Sequence, residues 1–195
     1  MTAVYRHELK YFINKPDWAL LRARMMGMIP RDPNAGPDGE YMIRSLYFDD
    51  YWNSSYDEKE MGILLRRKYR IRLYNYSDRR ILLERKNKVG QYILKESAPL
   101  TRWETEALID GDYGFLKNSR ENLKQEFYYE CTSRLMRPRV VVDYDREPFA
   151  LEPGDVRITF DKHVRAGFGA DGARHGAGAG ACCPALYLQH RQNGD

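Results

Sequence analysis

Residues 64–75 have the sequence LLRRKYRIRLYN, in which positive and apolar side chains alternate. A period of two is typical of a β-strand, whose successive side chains point to opposite faces of the sheet. One face of this strand carries four cations: Arg66, Lys68, Arg70 and Arg72. Two like charges at this spacing, roughly 6.6 Å, repel by about 2.5 kcal/mol at an effective dielectric constant near 20. The row therefore predicts an anionic partner.

The distribution of charge along the chain also points to a local anionic partner. The 195 residues carry a formal net charge of only +4. Residues 61–100, however, contain eleven Lys and Arg residues and only three Asp and Glu residues. Such a local excess favours one cationic site over a generally basic protein.

Other predicted strands also separate charged from apolar residues. Their charged faces carry Glu8 and Lys10, then Glu84, Lys86 and Lys88, then Arg146, and finally Arg157 and Asp161. If the sheet rolls into a barrel with this face inward, the lumen suits phosphates, and its carboxylates are available to a metal ion. We expect the repulsion between the converging cations to be relieved only by a bound polyanion.

Two other interpretations of the charged strands remain open at this point. The first is a solvated sheet face with cross-strand ion pairs. The second is a nucleic-acid surface, because Tyr69, Tyr74 and Tyr76 interleave with the cations. These tyrosines fall partly on the apolar face, so we do not expect a nucleic-acid partner.

The remaining pattern predicts an α+β fold with an antiparallel sheet, because runs of strands alternate with inserted helices. Helices are expected over residues 15–29, around 53–60, after Thr101 with Glu104 as the reciprocal cap, and over 115–135. In the last of these, the buried stripe is expected to be Leu123, Phe127, Cys131 and Leu135. The predicted domain covers residues 1–167, and the Gly/Ala-rich residues 168–195 are predicted to be an irregular tail.

Composition excludes several classes of protein. No run of eighteen apolar residues is present, so no transmembrane span is predicted. The first residues lack the apolar core of a signal peptide, and the expected location is the cytoplasm. The three cysteines form neither a disulfide framework nor a metal-ligand spacing, since the vicinal Cys182 and Cys183 have no second ligand pair.

Six segments, taken together and in order, resemble one known family over roughly residues 5–167. They are YRHELKYFI, MIRSLYFDD, LLRRKYRIRLYN, ILLERKNKVGQYILKES, RPRVVVDYDREPF and VRITFDKHVRAG. The family is the VTC domain, the polyphosphate polymerase domain of the vacuolar transporter chaperone family and its bacterial relatives. It belongs to the CYTH-like triphosphate tunnel superfamily.

The resemblance implies an eight-stranded antiparallel tunnel that binds the triphosphate of ATP or a polyphosphate chain. It implies six phosphate-binding residues: Lys10, Arg70, Arg72, Lys86, Arg146 and Arg157. The family's reaction transfers the γ-phosphoryl group of ATP to a growing polyphosphate end and needs a divalent metal, Mn or Mg. No catalytic residue is identified by the resemblance.

The chain departs from the family pattern after residue 167. The family continues with a strand of the type LEVK, whose Glu binds the metal, whereas this chain has a Gly/Ala-rich tail that looks truncated or frame-shifted. We therefore expect an incomplete tunnel with an open seam beside its last strand, and the activity of the domain remains open. Glu8 and Glu84 are the remaining candidate metal ligands, although ion pairing with adjacent Lys and Arg is the favoured interpretation for both.

Two alternative functions remain at the level of sequence. One is a tunnel-type triphosphate hydrolase, which is disfavoured because the paired ExExK signature is missing and Arg6 precedes Glu8. The other is a polyphosphate-binding module without catalysis. The oligomeric state is not predicted.

Overall fold

Eight antiparallel strands form a closed barrel in the computed structural model, which describes residues 5–168 and 185–191. The strands are β1 (Tyr5–Phe12), β2 (Tyr41–Asp49), β3 (Leu65–Tyr74), β4 (Ser77–Val89), β5 (Tyr92–Leu100), β6 (Arg137–Leu151), β7 (Val156–Phe168) and β8 (Ala185–Arg191). The helices are α1 (Lys15–Met28), α2 (Ser54–Glu60), α3 (Arg102–Asp110) and α4 (Asn122–Ser133), with a short 3₁₀ helix at Gly114–Asn118.

Around the barrel the strands follow the order β1, β5, β4, β3, β2, β6, β7, β8. Two hairpins join β3 to β4 and β4 to β5, and β2 lies between β3 and β6. The α+β class, the antiparallel tunnel and the flanking helices predicted from the sequence are therefore confirmed.

Strand β8 stands where the sequence predicted an open seam. It pairs with β7 from Val156↔His190 to Asp161↔Ala185, and with β1 from Arg6↔Arg191 to Phe12↔Ala185. This corrects the expectation of an incomplete tunnel and of irregular coil over the whole tail. The physical reason is that the edges of β1 and β7 both need backbone hydrogen bonds, which a seven-residue segment supplies. Residues 169–184, including the Cys182 and Cys183 pair, lie outside the described residues.

The outer face of β2 to β5 carries the main hydrophobic core, covered by α3, the 3₁₀ helix and α4. Phe127 of α4 is fully buried, and its ring lies 5.1 Å from that of Phe48 and 5.0 Å from that of Tyr69. Alternation explains this packing, because the residues between the lumen-facing cations point outward into the core. Burying this face leaves the charged face as the inner wall.

Helix α1 covers a second cluster on the outside of β6 and β7. Trp18, Leu21 and Met25 pack there against Phe149 and Phe160, among others. Asn14 caps the helix by accepting a hydrogen bond from the backbone N–H of Asp17 at 2.7 Å, as its sequence predicts. An ion pair also attaches the helix to β6, since Arg22 Nε donates to the two oxygens of the fully buried Glu147 carboxylate at 2.8 and 2.9 Å.

The predicted helix over 115–135 is wrong in its extent. The chain forms the 3₁₀ helix, leaves helical geometry at Ser119, and begins α4 only at Asn122. Leu123, Phe127 and Cys131 are buried as predicted, but Leu135 has a positive φ of 55° and is 46% exposed. The capping box of Thr101 and Glu104 is confirmed. No helix within residues 5–168 or 185–191 has the length and apolar character that crossing a membrane requires.

Candidate functional site

The barrel encloses a cavity of about 220 Å³ that opens to solvent. All six residues assigned to phosphate binding from the sequence line it: Lys10, Arg70, Arg72, Lys86, Arg146 and Arg157. They come from β1, β3, β4, β6 and β7, so the barrel joins positions up to 147 residues apart in sequence. Their location inside one cavity is established, and their binding of phosphate remains a prediction.

Sequence reasoning missed two further lumen cations, Arg6 and Lys95. The period-two rule signals the first, because Arg6 alternates with Glu8 and Lys10 on β1. Lys95 lies on β5, to which no inner face had been assigned. Arg66 and Lys68 share a strand face with Arg70 but belong to the far end of β3 and do not line the cavity.

Glu84 lies at the centre of one cationic group on β3 to β5. Its carboxylate is 1% exposed and contacts Arg70 Nη2 at 2.7 Å and Arg72 Nε at 3.8 Å. It also forms an ion pair with Lys95. Burial alone would raise the pKa of Glu84, but Arg70, Arg72 and Lys95 together lower it to about 2. Glu84 is therefore a fixed negative charge that holds three lumen cations in place.

Glu8 performs the same role on β1 and β4. It contacts Lys10 Nζ at 3.4 Å and forms an ion pair with Lys86. Burial would raise the pKa of Glu8, whereas these two lysines lower it to about 2. Burial of Lys86 lowers the pKa of that lysine to about 8, because Glu8 offsets only part of the desolvation. Lys86 is therefore a lumen cation that can lose its charge just above neutral pH.

The opposite wall carries two further ion pairs. Arg146 donates from Nε and Nη2 to the two carboxylate oxygens of Asp161, both at 2.7 Å. Arg157 Nη2 lies 2.7 Å from Asp32, which the segment after α1 supplies. Asp32 also accepts hydrogen bonds from the backbone N–H and side-chain amide of Asn34. Asp32 had not been predicted, because nothing in a loop sequence indicates which strand it meets.

Built-in carboxylates thus relieve the repulsion that was expected to require a bound polyanion. That expectation is wrong, since each of the six predicted residues already has a carboxylate partner among Glu8, Glu84, Asp161 and Asp32. The alternative interpretation from sequence was therefore correct in predicting ion pairs on the charged face. It was wrong in predicting a solvated sheet surface, because this face is the wall of a cavity. Eight cations among the side chains that the structure describes line the cavity, so four carboxylates leave it strongly positive.

Tyrosine hydroxyls complete the inner wall. Arg70 Nη1 donates to Tyr47 Oη, and Arg72 Nη2 donates to Tyr144 Oη, each at 3.0 Å. Burial would raise the pKa of Tyr47, but Arg70, Arg72 and Lys10 lower it to about 8. Burial is the largest influence on Tyr144, whose pKa is raised. These hydroxyls fix the two guanidinium groups in the lumen.

The tyrosines that suggested a nucleic-acid surface do not form one. Tyr69 is 1% exposed in the core, Tyr74 lines the cavity, and Tyr76 is exposed beyond the end of β3. They therefore do not share the exposed face that single-stranded nucleic acid requires.

The described residues do not fit a divalent metal ion well. They contain no group of three His, Cys, Asp or Glu side chains close enough to hold one. Glu8 and Glu84, the two candidates from sequence, are each occupied by at least two cations. The resemblance implies a Glu in the strand that follows β7, whereas the sequence of β8, ALYLQHR, contains no Asp or Glu. The expected Mn or Mg requirement remains a prediction.

Comparison with known proteins gives one family and one fold. A family model described as the VTC domain matches residues 5–175. A candidate adenylate cyclase from Bacillus halodurans has a TM-score of 0.58 at 10% identity, covering 97% of this chain and 82% of that one. A candidate adenylate cyclase from Vibrio parahaemolyticus has a TM-score of 0.54 at 13% identity, covering 100% and 80%.

The description of a third solved structure names an activity, which belongs to that protein. It is a candidate adenylyl cyclase from Hippeastrum, described as having a dominant triphosphatase activity. It has a TM-score of 0.54 at 8% identity and covers 98% of this chain and 80% of its own. At such low identities these structures show the fold alone. No curated protein matches the sequence.

Proposed function

Because the chain belongs to the VTC domain family, we propose that it binds the triphosphate of ATP or a polyphosphate chain in the barrel and transfers the γ-phosphoryl group to a polyphosphate end. The observation that supports this proposal best is the convergence of six cations, chosen from sequence alone, on one cavity. The bond from the γ-phosphorus to the β-bridging oxygen breaks, a bond to the terminal polyphosphate oxygen forms, and ADP leaves.

The side chains around the cavity suit this reaction. Phosphoryl transfer needs alignment of the reacting oxygens and neutralisation of charge more than it needs a covalent catalyst. Arg70 and Arg72 are held by Glu84 and by tyrosine hydroxyls, so their guanidinium groups are positioned before a ligand arrives. Lys10 and Lys86 supply point charges on the adjoining wall.

Incubation with ATP and Mn²⁺ or Mg²⁺, followed by gel detection of long polyphosphate, tests the proposal. The double variant Arg70→Gln/Arg72→Gln should lose polymer formation and binding of tripolyphosphate. Arg79→Gln/Arg80→Gln is a matched control, since both arginines are exposed on the same hairpin outside the cavity. The proposal is contradicted if tripolyphosphate does not protect the wild-type protein against thermal unfolding. It is also contradicted if the Arg70→Gln/Arg72→Gln variant binds tripolyphosphate as tightly as the wild type does.

Triphosphate hydrolysis is the second candidate, and its product distinguishes it. Hydrolysis releases inorganic phosphate without polymer. The lumen position of Arg6 disfavours it, because a cation lies where the paired signature of the hydrolases has a carboxylate. If neither product appears while tripolyphosphate still binds, the domain is a polyphosphate-binding module without catalysis. Its cytoplasmic location remains a prediction from the sequence.

A further inference from the structure

We propose that Tyr41 and Tyr74 form a base-binding subsite at one mouth of the barrel, so that the ligand held there is a nucleoside triphosphate seated by its base. The proposal rests on the proposed function, since it assumes that the cavity holds phosphates. It adds a residue pair that recognises the nucleoside and a direction for the nucleotide in the tunnel.

The two rings meet at the same end of adjacent strands. Tyr41 is the first residue of β2, and Tyr74 is the last residue of β3. Their ring centroids lie 5.8 Å apart at an interplanar angle of 65°. Both side chains line the cavity and both remain partly exposed, so part of the ring surface is accessible to a ligand. Aromatic side chains of this kind bind nucleobases by stacking, and they do so with any base.

Cations lie beside the tyrosine pair, and further cations lie deeper in the lumen. Tyr41 stands in register with Arg146 on β6, and Arg157 also lines this part of the wall. Burial raises the pKa of Tyr41, so its ring stays neutral and does not repel a phosphate. A base stacked on the tyrosines would therefore place its phosphates beside Arg146, with Arg72 and Arg70 further along β3.

The opposite end of the same strand has a different chemistry. Arg66 and Lys68 lie there, about 20–26 Å from Tyr74 along β3, and Arg66 stands in register with Lys88. Among the described residues that line the cavity, the tyrosines at a strand end are Tyr41 and Tyr74. The tyrosine end of β3 is thus aromatic and its opposite end is cationic, so the base is oriented outward at the tyrosine end.

The test compares two ligands that share a triphosphate and differ in the nucleoside. Titration calorimetry measures the affinities of ATP and inorganic tripolyphosphate for the wild type and for Tyr74→Ala. Loss of one stacking partner should weaken ATP binding at least about fivefold and change tripolyphosphate binding by less than about twofold. The fluorescent analogue 1,N6-etheno-ATP provides a second readout, because stacking on tyrosine should change its emission in the wild type and change it less in the variant, which keeps Tyr41 alone.

Two control variants complete the design. Tyr74→Phe keeps the ring and should bind ATP as the wild type does, whereas Tyr56→Ala removes an exposed tyrosine of α2 and should have no effect. Equal losses for ATP and tripolyphosphate in Tyr74→Ala, or no loss for either, would overturn the subsite while leaving the phosphate tunnel intact. A wild type that binds neither ligand would overturn the proposed function itself. Binding of tripolyphosphate by Tyr74→Ala shows that this variant is folded.

Discussion

Replacement of Glu84 by Gln is the most direct probe of the charge arrangement in the barrel. The substitution preserves the size of the side chain and removes the negative charge that holds Arg70, Arg72 and Lys95. Because Glu84 is 1% exposed, water cannot replace the lost carboxylate. We expect a folded but clearly less stable protein.

The size of the effect follows from two independent arguments. A pKa lowered from 4.5 to about 2 on folding corresponds to roughly 3 kcal/mol of stability at neutral pH. Removal of one partner from a buried ion pair typically costs about 3–5 kcal/mol. For a chain of 195 residues, 3 kcal/mol lowers Tm by roughly 6–12 °C. A bound polyanion should restore part of this loss, because it supplies the missing negative charge.

Thermal unfolding of the wild type and of Glu84→Gln, each with and without tripolyphosphate, measures both effects. Tripolyphosphate should raise the Tm of the variant more than that of the wild type. The contribution of Glu84 is fully present above pH 4.5 and is lost as pH falls towards 2, so the difference in stability should shrink over that range. Glu60→Gln, an exposed change on α2, is the control. A Glu84→Gln variant as stable as the wild type, with the same shift on adding ligand, would refute the reasoning.

Three further predictions concern pH, the core and the closing strand. The affinity for tripolyphosphate, measured by calorimetry, should fall as pH rises from 7 to 9. Over this range Lys86 loses a positive charge and Tyr47 gains a negative one, because both pKa values are about 8. The variant Lys86→Arg keeps its charge and should show a shallower decline. Phe127→Ala should lower the free energy of unfolding by about 3–5 kcal/mol in urea titrations, since it empties a fully buried site of α4; an effect below 1 kcal/mol would contradict the described core. Deletion of Ala185–Arg191 should expose the edges of β1 and β7 and cause aggregation, visible by light scattering; a monomeric, equally stable truncation would show that β8 is dispensable.

Alternation along the strands made the inner wall predictable. Once a strand is assigned, its period of two decides which residues share a face, and this rule placed Arg70 and Arg72 together without coordinates. The family resemblance then selected them over Arg66 and Lys68, which share the face but lie outside the cavity. The face of the sheet was predictable because alternation is a local pattern, whereas the position of a residue along the barrel is not local and needed the family resemblance.

Contacts between distant elements were not predictable in the same way. Asp32 meets Arg157 across 125 positions, and a single sequence carries no signal for such a pairing. The partner of Arg146 is also decided by the register of β6 against β7, which pairs it with Asp161. These pairings determine how much positive charge is left for a ligand, so the electrostatics of the lumen required the structure.

Strand β8 and the end of α4 show how tertiary context decides ambiguous segments. Ala185–Arg191 follows a Gly/Ala-rich stretch and is too short to stand out, but two open strand edges favour its pairing. Leu135 continues a four-residue apolar repeat, yet the chain must turn there to enter β6, and a positive φ accomplishes the turn. In both cases the neighbouring elements outweigh the local pattern.

The ion pairs of the inner wall have a consequence for how a long anion would travel through the barrel. Since the six cations named from sequence each keep a carboxylate in the absence of ligand, an arriving phosphate exchanges one ionic contact for another of similar strength. Because each step along the wall exchanges one ionic contact for another, the free energy of a polyphosphate chain would change little as the chain moves through the barrel. A lumen of unpaired cations would instead trap the polymer at its first position.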